Sequence, residues 1–172
     1  LKVTVLQNGA VRFDLHGTVN KDAYYLPRLG FNLKLPKSVT NFTYYGYGPG
    51  ESYCDLHHHA SLNWHNSTVE KEFVPYVRPQ EQGNHFGVTE LSIGNLTFVP
   101  EITMEINVSK YSGHQLQRAN HLNELAEPFA TNLRIDYKVS GIGSGSCGPQ
   151  LQEKYRLKEK NIHFAFELKI CK

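Results

Sequence analysis

Four carboxylates, Glu51, Asp55, Glu81 and Glu90, lie in the aromatic and glycine-rich middle of the sequence. Two carboxyl groups flanking a glycosidic bond can serve as acid and base, about 5–5.5 Å apart for retention and about 6.5–9.5 Å for inversion. Nothing in the spacing of these four enforces such a pair, and solvated surface groups are the simpler reading, so no catalytic residue is assigned. His57, His58 and His59 are consecutive. Neighbouring side chains of a strand point to opposite faces, which is poor chelating geometry, so a solvated loop is expected and no metal site is assigned. The stretch "GIGSGSCGP", 141–149, offers Ser144, Ser146 and Cys147. It lacks the Gly-Lys-Ser/Thr ending of a phosphate loop and the Gly-x-Ser-x-Gly elbow of esterases. Cys147 has no Cys-x-x-Cys partner and no histidine close in sequence, so a nucleophilic role would depend on a spatial neighbour. In "PYVRPQEQGNHFGVTEL", 75–91, the prolines fix φ, Gly83 relieves a turn, and Gln80, Glu81 and Asn84 can satisfy backbone groups at a bend. A structural loop is the favoured reading there. The alternative is that Arg78, Glu81 and His85 line a surface that meets a sugar or another domain.

Elements must position these residues, and the composition limits what those elements can be. The chain has 172 residues, 18 Lys and Arg against 16 Asp and Glu, and both signs are scattered along it. That distribution gives no electrostatic footprint for nucleic acid. No apolar stretch approaches the roughly 18 residues of a membrane span. A single domain with its own core is expected over 1–172, and a start at Leu1 in strand-like alternation suggests an excised piece. The three cysteines, Cys54, Cys147 and Cys171, fit neither a disulfide framework nor a zinc site, which favours a reducing compartment. Asn-x-Ser/Thr matches at Asn41, Asn66, Asn95 and Asn107 are short enough to arise by chance.

Period-two alternation dominates. Val3 and Val5 precede Asn8-Gly9, and Val11, Phe13 and Leu15 follow it, which predicts a hairpin with positive φ at both central turn positions. The pattern recurs in Leu29, Phe31, Leu33 and Leu35; Ile102, Met104, Ile106 and Val108; Leu133, Ile135, Tyr137 and Val139; and Ile162, Phe164, Phe166, Leu168 and Ile170. Each segment has one oily face that another sheet must cover, so an all-β sandwich is predicted. Ser112 can cap one or two helical turns from Gly113 towards Leu125. One short helix at most is expected. The cluster "FTYYGYGPGESY", 42–53, holds four tyrosines, residues that pack sandwich corners and also face sugars or other domains.

Four strings taken together resemble a known family: "GYGPGESYCD" (46–55), "PYVRPQEQGNHFGV" (75–88), "NVSKYSGHQL" (107–116) and "GIGSGSCGPQLQEKYRL" (141–157), followed by a last strand ending in "ICK". Their order and spacing are similar to those of the C-terminal domain (domain 5, small chain) of glycoside hydrolase family 2 β-galactosidases. The resemblance implies a large antiparallel supersandwich of the galactose mutarotase-like type, lacking its earliest strands. It implies that the catalytic glutamates stand on a TIM barrel elsewhere in a parent that hydrolyses β-galactosides such as lactose, and that this fragment alone is inactive. Implied partners are the barrel and other domains of the parent, the β-galactoside sugar, and further copies of the parent in a homo-oligomer, with no nucleic acid and no membrane. The parent family commonly uses Mg and Na, but no cofactor is expected within this fragment. A bacterial cytoplasmic location is favoured, with the periplasm or secretion as alternatives. In the family, an aromatic from the Gly-rich loop, in a pattern like Gly-Gly-Asp-x-Ser-Trp-Gly-Pro, lies against the sugar. Here the loop is one residue shorter and Cys147 stands where the tryptophan would be, offering a small, weakly polar wall in place of a broad apolar face. Cys147, Ser146 and Gly143 are carried over as sugar-facing residues on that resemblance. A stand-alone carbohydrate-binding module, with an exposed row of aromatics, and a mutarotase-like epimerase, with a carboxylate and a histidine in one cleft, remain as alternatives.

Overall fold

The computed structural model describes residues 1–143 and 149–171. Two antiparallel sheets face each other. The larger has the order β1-β2-β11-β8-β7-β4-β5 and the smaller β3-β10-β9-β6. In the larger sheet the strands are β1 (Lys2–Val5), β2 (Val11–Thr18), β4 (Asn41–Gly48), β5 (Ser61–Thr68), β7 (Glu90–Ile93), β8 (Leu96–Pro100) and β11 (Asn161–Ile170). The smaller holds β3 (Arg28–Pro36), β6 (Asn84–Val88), β9 (Met104–Ser109) and β10 (Ala130–Val139). The fold is therefore the all-β sandwich that the alternation predicts, and β3, β10 and β11 coincide with three of the alternating segments.

The core forms where the two inner faces meet. Phe42, Tyr44, Leu91, Phe98, Phe164 and Phe166 of the larger sheet pack with Val88, Met104, Ile106, Val108, Leu133 and Ile135 of the smaller in one cluster. Across the layers, Phe31 on β3 meets Phe166 edge-on at 5.4 Å and Phe13 at 6.1 Å. Such large apolar side chains contribute on the order of 1.5–3 kcal/mol each when buried. The helix α1 (Gly113–Arg118) is held at its start by a capping box in which the Ser112 side chain accepts from the Gln115 N–H and Gln115 reaches back to the Ser112 N–H. It stops after six residues, and only a 3-10 turn at Leu122–Glu124 continues the segment.

Two expectations need correction. The β1–β2 turn closes from Leu6 to Ala10, with the Leu6 N–H bonded to the Ala10 carbonyl at 2.8 Å and Gly9 at φ +83°. Among the described residues only glycines have positive φ, so Asn8 does not share that conformation and the loop is the longer, bulged kind rather than a two-residue turn. Ile102 is 82% exposed and precedes β9, because the strand pairs only from Met104 onward. The sequon at Asn107 is also no glycan acceptor in this fold, since its side chain is buried and donates to the Gln82 carbonyl.

Candidate functional site

The outer face of the smaller sheet departs from ordinary alternation, because its polar row is covered. Register places Asn32, Arg134, Asn107 and Asn84 side by side across β3, β10, β9 and β6, and sets Asp136 beside Glu105 in the next row. Asn84, Glu105, Asn107 and Asp136 are all buried. Buried polar groups demand partners, and the segments that cover the sheet supply them. Asn84 Nδ2 donates to the Ser52 carbonyl at 3.0 Å and to Glu105 Oε2 at 2.7 Å, and Glu105 Oε1 accepts from the Val139 N–H at 2.8 Å. Arg134 Nε approaches Asp136 Oδ2 at 3.3 Å, and its Nη1 donates to Glu81 Oε2 at 2.8 Å. Arg28 grips Glu81 with both terminal nitrogens, Nη2 to Oε1 at 2.8 Å. Such a two-pronged guanidinium–carboxylate contact fixes orientation as well as charge.

The electrostatics follow from this wiring. The hydrogen bonds from Arg28, joined by the charge of Arg134, hold the Glu81 carboxyl below its usual range. Glu81 is therefore an ionised brace, unsuited to giving up a proton near neutrality. Burial pushes Glu105 up to about 7 and raises Asp136 as well.

Beside this network opens a cleft of about 640 Å³. Arg28, Glu81 and Arg134 form its charged side, while Tyr24, Tyr25, Tyr53, Ile142 and Leu151 give aromatic and apolar walls. Tyr24 is 62% exposed, and the Arg156 guanidinium lies 5.3 Å from its ring and donates to its hydroxyl at 2.8 Å. A smaller recess of about 130 Å³ on the other side of Glu81 ends at α1. There a Cβ at Gly113 would stand 2.0 Å from Glu81 Oε1, so a larger residue would push the Glu81 carboxylate from its place between the arginines.

The base of the Gly-rich loop is latched to the rim. The Ser140 N–H bonds the Pro27 carbonyl at 2.8 Å, its hydroxyl donates to the Leu26 carbonyl at 2.7 Å and accepts from the Leu157 N–H at 2.9 Å, and the Gly141 N–H bonds Tyr155 at 2.9 Å. Asp55 then takes the next two amides, Ile142 at 3.1 Å and Gly143 at 2.9 Å. Gly143 sits at φ +45°, a left-handed conformation that favours glycine, and packs on Leu151.

The residues singled out from the sequence thus separate. Glu81 enters the cleft, and Gly143 lies next to its rim residue Ile142. Arg78 is exposed, in the loop before Glu81. His85 does not reach that surface: it is fully buried, with Nδ1 2.8 Å from the Tyr44 hydroxyl and Nε2 3.1 Å from Glu72 Oε2. Alternation on the short strand β6, and the partners waiting in the core, draw it inward. Cys147 and Ser146 lie outside the described residues. Of the other carboxylates, Glu51 accepts from the Gly83 N–H at 3.0 Å and the Tyr53 hydroxyl at 3.1 Å, and Asp55 is spent on the loop. Glu81 is the one carboxylate among the described residues lining the larger cleft. Tyr24, Tyr25, Arg28, Arg134 and Arg156 escaped the sequence reading. An arginine on the polar face of a strand looks solvated until something is known to cover that face.

This arrangement defines a class: a β-sandwich domain with a covered polar face and a cleft of aromatic rings, guanidiniums and amides, in which Glu81 is the one carboxylate among the described lining residues. The chain belongs to the family described as "Beta galactosidase small chain", whose model matches residues 1–168. It is similar to β-galactosidases of Actinobacillus pleuropneumoniae (36% identity over 98% of this chain and 17% of the relative) and Staphylococcus xylosus (39% over 96% and 17%). It is also similar to the β-galactosidase of Kluyveromyces lactis, with 34% identity over 83% of this chain and 14% of the relative. The chain spans about a sixth of the length of the curated relatives it matches.

Proposed function

We propose that this chain acts as a non-catalytic domain of a β-galactosidase of glycoside hydrolase family 2, shaping the rim of an active site whose catalytic groups stand in other domains. The parent would hydrolyse terminal β-D-galactosides such as lactose. The observation that carries this reading is the pairing of family membership over nearly the whole chain with a cleft whose one described carboxylate, Glu81, is held ionised by Arg28 and Arg134. Hydrolysis by two carboxyl groups needs one of them protonated, and Glu81 is wired against that. The latched base of the Gly-rich loop supports a rim role, because the backbone of residues 140–143 is fixed beside the cleft by Leu26, Pro27, Asp55 and Tyr155. An epimerase would need a histidine facing the cleft carboxylate, whereas His85 is occupied in the core.

Calorimetric titration of the chain with galactose and lactose at millimolar concentration, beside a chromogenic galactoside assay, tests the proposal. We expect neither saturable heat nor turnover from the chain alone. Restored hydrolysis on mixing with the rest of a parent enzyme would support the role directly. Saturable heat without turnover would instead favour a binding module, with the exposed Trp64 and its edge-on neighbour Tyr45 at 5.5 Å as the first residues to replace. Turnover by the chain alone would overturn the proposal.

A further inference from the structure

On the outer face of the larger sheet, three ligand-type side chains from two strands far apart in the chain converge. Asp14 and His16 are two apart on β2, so both point to the same face, and His16 pairs directly with His163 on β11. Asp14 Oδ1 lies 2.9 Å from His16 Nε2 and 3.1 Å from His163 Nε2, and the two imidazoles stack at 4.3 Å, 10° from parallel. All three ligand atoms lie within 4.8 Å of one another. We propose that Asp14, His16 and His163 form a surface site for a divalent transition metal ion of the zinc, nickel or copper type, which ties β2 to β11.

A tetrahedral ion bound at about 2.0–2.2 Å separates its ligand atoms by roughly 3.3–3.5 Å, close to the two Asp–His separations already present. Each imidazole needs only to carry its proton on Nδ1 for Nε2 to offer a lone pair to an ion. Two imidazoles and one carboxylate select borderline transition metals over Mg or Ca, which prefer shells of oxygen. The surroundings are compatible with a cation. Arg12 Nε stands 3.8 Å from Asp14 Oδ2, leaving Oδ1 to the histidines, and the Arg12 charge is offset by Glu101 at 2.7 Å. Exposure of the histidines leaves the remaining coordination positions to water or to a group on another molecule. Bound metal would join residues 149 positions apart, Asp14 and His163, and so clip the first long strand to the last. The inference is independent of the sugar reading, since the site lies on the other sheet.

Calorimetry and thermal melting of the metal-stripped chain with zinc chloride test it. We expect saturable binding of one ion, and a rise in Tm of about 5–10 °C at a hundredfold excess over Kd. His16→Ala and His163→Ala should each weaken binding at least tenfold, and Asp14→Asn less strongly. Both histidines are exposed, so the His16→Ala and His163→Ala variants should keep the melting temperature of the unsubstituted chain without metal. Replacing His57, His58 and His59 together by alanine should leave the high-affinity event intact. Absence of saturable binding at millimolar zinc, or binding that survives His16→Ala and His163→Ala, overturns the proposal.

Discussion

Glu105 is the residue whose chemistry bears most directly on the stability of the site. Its carboxyl is pushed up to about 7 by burial, against an ordinary value of 4.5, so between those limits the folded chain holds a proton that the unfolded chain releases. The folded state then binds more protons, and stability falls as pH rises through that window. The stabilisation is fully present below about 4.5 and lost above about 7, a difference of about 3 kcal/mol from this group. Glu81 acts with the opposite sign at lower pH, since its lowered value means that stability is lost as acid protonates it. Comparing urea unfolding of the parent and Glu105→Gln from pH 4.5 to 8 isolates the first effect. We expect the variant to lose most of the decline; parallel curves would show that Glu105 titrates normally. None of this was legible from the sequence, where Glu105 sits on the polar side of an alternating strand. The sequence suggested that Glu81 satisfies backbone groups at a bend, whereas its partners are the side chains of Arg28 and Arg134, which no local pattern announces.

At the scale of elements, a strand was legible where one of its faces lies in the core. Leu29 to Leu35, Leu133 to Val139 and Ile162 to Ile170 alternate because each strand has one face in the core, and β3, β10 and β11 fall on them. The pattern carries no sign of what lies over the other face, so the covering of β6 by the segment around Ser52 and of β9 by that around Gln82 was hidden. Nor does alternation record distant pairing, and His16 and His163 therefore escaped notice while the sequential triplet at 57–59 drew attention. The Gly-rich loop illustrates how a distant residue disciplines an element: Asp55 accepts two successive amides, and a Cβ at Gly141 would stand 2.4–2.7 Å from the Asp55 carboxylate atoms and displace them. Asp55→Ala leaves the Ile142 and Gly143 N–H groups without that acceptor. We expect hydrogen exchange at these amides to accelerate at least tenfold, with Tm little changed because the core is untouched. Unaltered protection would mean that the latch through Ser140 and Gly141 suffices.

The whole molecule has an asymmetry between its layers, seven strands against four, with a physical consequence at one margin. β3 is the last strand of the smaller sheet on that side, and its Phe31 covers Phe13 of β2. Val3 and Val5 of β1 pair with Phe13 and Val11, so they point to the same inner face, yet among the described residues no strand of the smaller sheet extends over them. Hence Val3 is 53% and Val5 75% exposed, with Leu1 at 65% beside them. An apolar overhang on an edge strand, with backbone groups open for pairing, is a ready template for a second chain. The curated relatives are about six times as long as this chain, and under the domain role proposed above other domains would cover this margin. When the chain is alone, the same surface should find copies of itself. We expect sedimentation velocity to show association growing from low to high micromolar concentration, and the double replacement Val3→Lys, Val5→Lys to return the chain to monomer without lowering Tm, since neither side chain contributes to the closed core. A parent chain that stays monomeric over that range would mean that the edge is protected by its own short length and twist, and the case for this margin as an interdomain contact would fall with it.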